Sequence, residues 1–211
     1  MIEVHPPEEK IHGFRDFLLH LFTITIGLLI ALGLEAAVES WHHHQLRIEA
    51  TENVHQELEH NRKELAECRA AIGQEQSNLV GILKFLEARA ASQPYNIHAL
   101  NLNYTLATMS DASWRTATAT GVISYMSYSQ VQNFAGAYEV QQEFTDLQRE
   151  TFNSFLKLQS YVVYGFDPEK ISTQQATAAA ADVRQTLSYV TAMDQIGAGL
   201  EKQYQSALGT K

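Results

Sequence analysis

The pattern of hydrophobic and polar positions changes character along the chain. From Phe17 to Leu34 it is unbroken, FLLHLFTITIGLLIALGL, 18 residues without a formal charge. At 1.5 Å per residue a helix of that length spans about 27 Å, close to the hydrocarbon thickness of a bilayer. Beyond Glu35 the pattern becomes periodic. Leu58, Leu65, Ile72, Leu79 and Leu86 recur every seven residues, and Val54, Asn61, Cys68, Glu75 and Ile82 form the adjoining column. The first column is apolar and the second mixed. This predicts a long helix over about Ser40 to Ala91 with one dependable buried seam, better suited to a bundle than to a strict parallel dimer. Neither glycine nor proline occurs between Gly33 and Gly73, so the apolar helix is expected to run on into this stalk, and Pro94 to end it.

Further along, Leu100, Leu102, Tyr104 and Leu106 alternate as a strand would. The stretch Ile97 to Met109 is read as a packed connection, with helix left open. Ser110 or Asp111 offers an N-cap to a short helix carrying Trp114, Ala117, Gly121 and Tyr125 on one face. Ser129 to Tyr164 places Val140, Phe144, Leu147, Leu158 and Tyr161 on one stripe and Phe134, Tyr138, Phe152 and Phe155 on its neighbour. Gly165 and Asp167-Pro168 break that helix. A last one, Ser172 to Leu208, turns Val183, Leu187, Val190, Leu200 and Tyr204 inward, and its ATAAAAD run suits close packing. The expected fold is all-α: one N-terminal transmembrane helix continuing into a long stalk helix, then an antiparallel helical bundle. The expected organisation is a short tail over 1–13, a transmembrane helix over 14–38, a stalk over 39–91 and a bundle over 92–211 packing on the stalk.

Composition narrows the partners. The 211 residues carry 15 basic and 24 acidic side chains, a formal charge of -9, and the pI is near 5.4. That balance argues against nucleic acid, which recruits basic surfaces. Cys68 is the single cysteine, which excludes an internal disulfide framework and a cysteine-rich metal site. Charge thins outward: residues 39–91 hold 15 charged side chains in 53, and residues 92–211 hold 17 in 120. The distal part is expected to work through packing and hydrogen bonds.

An apolar run of this length exceeds the roughly 7 to 15 residues of a cleaved signal's core, which favours an uncleaved signal anchor. Trp41 stands where an interfacial aromatic would. Lys10 and Arg15 precede the span and only Arg47 follows closely, a bias toward a cytoplasmic N-terminus and a periplasmic C-terminal part. Within the span, His20, Thr23, Gly27, Ala31, Leu34 and Val38 share one stripe, with Glu35 at its margin. Gly27 and Ala31 form a small-xxx-small pair, as do Gly33 and Ala37. His20, Gly27, Ala31 and Glu35 are therefore the expected contacts with a partner helix.

The stretch HGFRDFLLHLFTITIGLLIALGLEAAVESWHHH, the acidic ENVHQELEHNRKEL that follows, and SWRTATATGVISYMSYSQVQNFAGAYEVQQ from Ser113 to Gln142 together resemble a widespread family of uncharacterised bacterial single-span membrane proteins. The resemblance implies a membrane location and a helical outer region. It supplies no catalytic residues.

Candidate chemistry is thin. Glu39-x-x-His42, Glu52-x-x-His55 and Glu57-x-x-His60 match the Glu-x-x-His spacing of di-iron bundles, but follow one another along a single helix instead of converging from four. Glu59 and Glu64 read as solvated-face residues. His42, His43 and His44 are the weak metal candidates, able to bridge neighbouring protomers but not to converge from one helix. Cys68 reads as a small core residue. There is no Gly-x-Ser-x-Gly elbow, Walker A loop or dinucleotide fingerprint. No catalytic residue and no cofactor are expected. The leading expectation is a non-enzymatic, membrane-anchored helical protein that self-associates or serves as an accessory subunit of a larger bacterial inner-membrane assembly. Two alternatives stand beside it. One is a periplasmic small-molecule binding module, with Trp114, Tyr125, Tyr128 and Tyr138 lining a cleft. The other is a metal enzyme using His and Glu near the membrane.

Overall fold

The computed structural model describes residues 13–95, 102–163 and 170–209. Among them the fold is all-helical, with no strand. Four α-helices follow in order: α1 (Phe14–Ala90), α2 (Ala112–Ala119), α3 (Tyr128–Val163) and α4 (Thr173–Leu208), with a 3-10 turn at Val122–Tyr125. The chain divides into two compact units, Met1–Ile48 and Glu49–Lys211.

In the first unit the described residues are almost wholly the leading part of α1. Its large apolar side chains, from Phe14 through Val38, are exposed. Among the described residues α1 is the one helix long and apolar enough to cross a membrane, and none of its apolar window is buried within the chain.

The second unit is a helical bundle. Thr51 and Gln130, Glu57 and Tyr138, and Asn61 and Gln141 pair in rising order, so α1 and α3 run parallel. Arg69 meets Asp194 and Glu87 meets Arg184, so α4 runs antiparallel to α1. It is antiparallel to α3 as well, through Ser154 with Thr186 and Tyr161 with Asp182. Small residues let α3 and α4 approach closely: Ala137, Ala176, Ala179 and Ala180 are all buried. The N-terminus of α4 is closed by a capping box, Ser172 accepting from the Gln175 amide and Gln175 from the Ser172 amide.

Both columns of α1 are buried. Leu58, Leu65, Ile72, Leu79 and Leu86 are at most 2% exposed, as the seam requires. The mixed column is covered too, including Asn61 and Glu75, so α1 has two buried seams where the sequence predicts one. On α4, Val183, Val190, Leu200 and Tyr204 are buried and Leu187 partly so. On α3, Phe134, Tyr138, Phe144, Phe155 and Leu158 are buried, whereas Phe152 lies at the surface.

Leu102 to Ser110 form the expected packed connection, with neither helix nor strand, and Leu102, Tyr104, Ala107 and Met109 lie in or against the core. Ile97 and Leu100 of the same expected connection lie outside the described residues, as do Tyr164, Gly165 and Asp167-Pro168. One local expectation is corrected, that of the short helix. It stops at Ala119, because Gly121 takes a left-handed φ of 73° that turns the chain before the 3-10 turn. Trp114 and Ala117 therefore face inward, and Tyr125, at the end of the 3-10 turn, is exposed.

Candidate functional site

The most elaborate chemistry in the second unit surrounds the extended segment 102–111, a strap between α1 and α3. It runs antiparallel to both: Thr105 lies against Glu75, Thr108 against Glu64 and Ser110 against Asn61 on α1, and Ala107 against Gln148 and Ser110 against Gln141 on α3. The strap takes the place a descending helix would hold in an up-down-up-down four-helix bundle. Extended chain advances about 3.3 Å per residue against 1.5 Å for helix. The stretch from Thr105 to Ser110 thus covers about 17 Å and serves the roughly 21 Å of α1 between Glu75 and Asn61, with the side chains spanning the difference.

A strap outside any helix or sheet must find partners for each buried peptide group. Here side chains supply them. Gln148 on α3 accepts from the Ala107 amide at 2.9 Å and donates to the Ala107 carbonyl at 3.0 Å. Asn61 on α1 does the same for Ser110, accepting at 2.9 Å and donating at 2.6 Å. Each carboxamide imitates the edge of a neighbouring strand, one from each wall. Gln141 donates to the Ser110 carbonyl while its Oε1 accepts from Asn61 and from the Tyr204 hydroxyl, which joins α1, α3 and α4 in one network.

At the lower end Glu57 collects the start of α2. Its Oε2 accepts from the Ser110 hydroxyl at 2.8 Å and the Ser113 amide at 3.0 Å; its Oε1 accepts from the Trp114 amide at 3.4 Å and the Tyr138 hydroxyl at 2.6 Å. Asp111 occupies the N-cap position but makes no side-chain cap. The carboxylate that satisfies the helix start comes instead from α1, and the positive end of the α2 dipole favours it. Burial pushes the Glu57 pKa up, but the bonds from Ser113, Tyr138, Ser110 and Trp114 outweigh it and hold the carboxyl below the usual carboxylate range. Burial, and then the bond to Glu57, push the Tyr138 phenol far up, so it stays a donor. With both lone pairs of each oxygen engaged, Glu57 has no free position for general-base work.

Glu75, at the other end, behaves in the opposite sense. Its Oε1 accepts from the Thr105 amide at 2.8 Å, whereas its buried Oε2 has no partner among the described residues. Burial dominates and raises its pKa despite the bonds from Thr105. The Cys68 thiol donates to the Thr105 carbonyl; burial, with Glu75 nearby, pushes it up to about 11. A thiol held protonated is no nucleophile at neutral pH. Cys68 is a core residue, as its place in the heptad implies.

The aromatic residues proposed for a cleft separate. Trp114 and Tyr138 stack at 5.6 Å in the core, and Phe134 meets Trp114 edge-on at 6.1 Å, while Tyr125 and Tyr128 are exposed. Glu57 turns inward and His60 outward, so that Glu-x-x-His pair diverges. Glu64 is half-buried and accepts from the Thr108 amide at 3.0 Å, which corrects its reading as a solvated side chain.

Along α1 of the first unit, Gly27, Ala31 and Glu35 are exposed, and nothing lies within 4 Å of a Cβ built on Gly27. His20 turns its Nδ1 to the Asp16 carbonyl at 2.9 Å. His42 and His43 have ring centroids 6.4 Å apart, His43 lies 3.9 Å from Glu39, and His44 lies 3.3 Å from Arg47. The three imidazoles do not converge, and the described residues contain no group of three or more His, Cys, Asp or Glu arranged to hold a metal.

Sequence reasoning missed the strap clamp, Glu57, Glu64, Gln141 and Gln148 with Asn61 and Glu75. The signal was present in the polar members of the mixed heptad column, which a buried helix face tolerates only when they have partners. Comparison of the chain with protein-family models, curated proteins and solved structures finds no match.

Proposed function

We propose that this chain is a single-pass protein of the bacterial inner membrane, with a cytoplasmic N-terminus and a periplasmic helical unit. It acts without catalysis, by self-association or as an accessory subunit of a larger membrane assembly. The observation that carries this reading is the exposed apolar stretch of α1, Phe17 to Leu34. None of its apolar window is buried among the described residues, and leaving so much apolar surface in water costs on the order of 25 cal/mol per Å². Lipid removes that cost. The Lys10 and Arg15 charges ahead of the span favour the proposed orientation. In the outer unit Glu57 and the carboxamides of Asn61, Gln141 and Gln148 are engaged in holding the strap, which suits a rigid scaffold better than a reaction centre.

The test is extraction of the natively expressed chain in mild detergent, affinity purification and intact-complex mass spectrometry, with carbonate washing of the membranes beforehand. A carbonate-resistant chain recovered as a homo-oligomer or with stoichiometric partners is expected. Release by carbonate, or a detergent-solubilised monomer without partners, overturns the reading.

A further inference from the structure

The face of α1 that leaves the membrane continues a heptad already running inside it. Phe17, Ile24, Ala31, Val38 and Gln45 are spaced by seven, and so are His20, Gly27, Leu34, Trp41 and Ile48, three residues on. Together they make one a/d seam free of formal charge. Up to Leu34 the lipid demands apolar residues all round the helix, so the pattern there is uninformative. Beyond Glu35 that demand ends. The charged residues Glu35, Glu39, Arg47 and Glu49 and the three histidines all fall off the seam. Val38, Trp41 and Ile48 stay on it, 66%, 64% and 44% exposed.

We propose that this seam is a parallel, in-register interface with a second copy of the chain. The inference rests on the membrane reading above, because a shared bilayer sets two copies at the same depth and in the same direction. Each seam residue then meets its own counterpart. The polar side chains beside the seam suit the same arrangement, an imidazole donor facing a carboxylate acceptor. In a parallel pair a g position faces the e position five residues on in the partner helix, which sets His44 against Glu49 of the second copy. Antiparallel pairing would carry the apolar span of one copy out of the lipid. Gly27 and Ala31, adjacent layers of the seam within the span, allow the two backbones to come close.

The test is single-cysteine cross-linking of the full chain in native membranes. Cys68 is buried and stays in place as a silent thiol. Val38→Cys, Trp41→Cys, Gln45→Cys and Ile48→Cys are compared with the off-seam His43→Cys and Leu46→Cys after oxidation with copper-phenanthroline. All six alter residues on the first unit, outside the bundle core. The expected result is a dimer of twice the chain mass, several-fold more abundant at the four seam positions than at the two controls. Equal or absent cross-linking in a chain retained by the membrane overturns the pairing alone. Cross-linking of the seam to a different polypeptide does so too, and identifies a heterologous partner. Recovery of the chain in the soluble fraction overturns the membrane reading together with the pairing.

Discussion

The hydroxyl of Tyr138 on α3 donates to the Glu57 carboxylate on α1 at 2.6 Å, inside the bundle and without a cation in the contact. The charge is balanced by neutral donors: two backbone amides at the start of α2, one serine hydroxyl and this phenol. One carboxylate thereby ties α1, the strap, α2 and α3 together, and the sensitivity of the fold should concentrate around it.

Tyr138→Phe removes the shortest of the four bonds and keeps the ring that stacks on Trp114. A hydrogen bond to a charged group is worth about 1.5–3 kcal/mol, so the variant should lose roughly that much stability. Urea unfolding of the full chain in detergent micelles, followed by circular dichroism, checks this. In a double-mutant cycle with Glu57→Gln the two losses should fall short of additive.

The two carboxylates that flank the strap respond to pH in opposite directions. Glu57 has a folded-state pKa below its ordinary 4.5. Its contribution is present above 4.5 and is lost as pH falls through the folded value. Glu75 has a folded-state pKa above 4.5, so its contribution is full below 4.5 and disappears as pH rises through the folded value. Unfolding between pH 3 and pH 8 should therefore show Glu57→Gln least destabilised, relative to wild type, at the acid end. Glu75→Gln should gain on wild type toward neutral pH. A constant offset at either position would contradict the assignment.

Gln148→Leu fills a similar volume but leaves the buried Ala107 amide and carbonyl unpaired. Each orphaned group costs about 1–3 kcal/mol. Amide exchange measured by mass spectrometry should accelerate across the strap before it does in α3 and α4, because those helices keep their own backbone bonds.

Two glycines of α4 should respond oppositely to alanine. At Gly197 a Cβ would lie 3.0 Å from Arg69 Cδ and 3.2 Å from Phe144 Cε2; α1 and α3 both crowd it, and a loss of about 1–3 kcal/mol is expected. At Gly199 nothing lies within 4 Å, so alanine should add up to about 1 kcal/mol through helix propensity. Melting temperatures of the two variants, one lowered and one raised, check the pair.

Gly27→Leu should leave the fold of the second unit untouched, since nothing lies within 4 Å of a Cβ built on Gly27, and should weaken the association proposed above. Unaltered complex recovery after detergent extraction would remove Gly27 from the contact face.

Long-range periodicity was legible in the residues themselves. The heptad from Leu58 to Leu86 and most of the stripes of α3 and α4 lie buried in the bundle where helical geometry puts them, and the apolar run Phe17 to Leu34 forms the exposed leading part of α1. The strap could not be read this way, because its backbone is satisfied by side chains far away in sequence, such as Gln148 for Ala107. No local propensity records such a pairing. Likewise Asn61 and Glu75 look in sequence like the polar members of an imperfect seam, and Glu57 like half of a Glu-x-x-His pair; only packing shows that each is buried against a peptide group it serves. Periodicity is a property of one helix and is written along it, whereas satisfaction of a buried polar group is a relation between segments and exists only once they have come together.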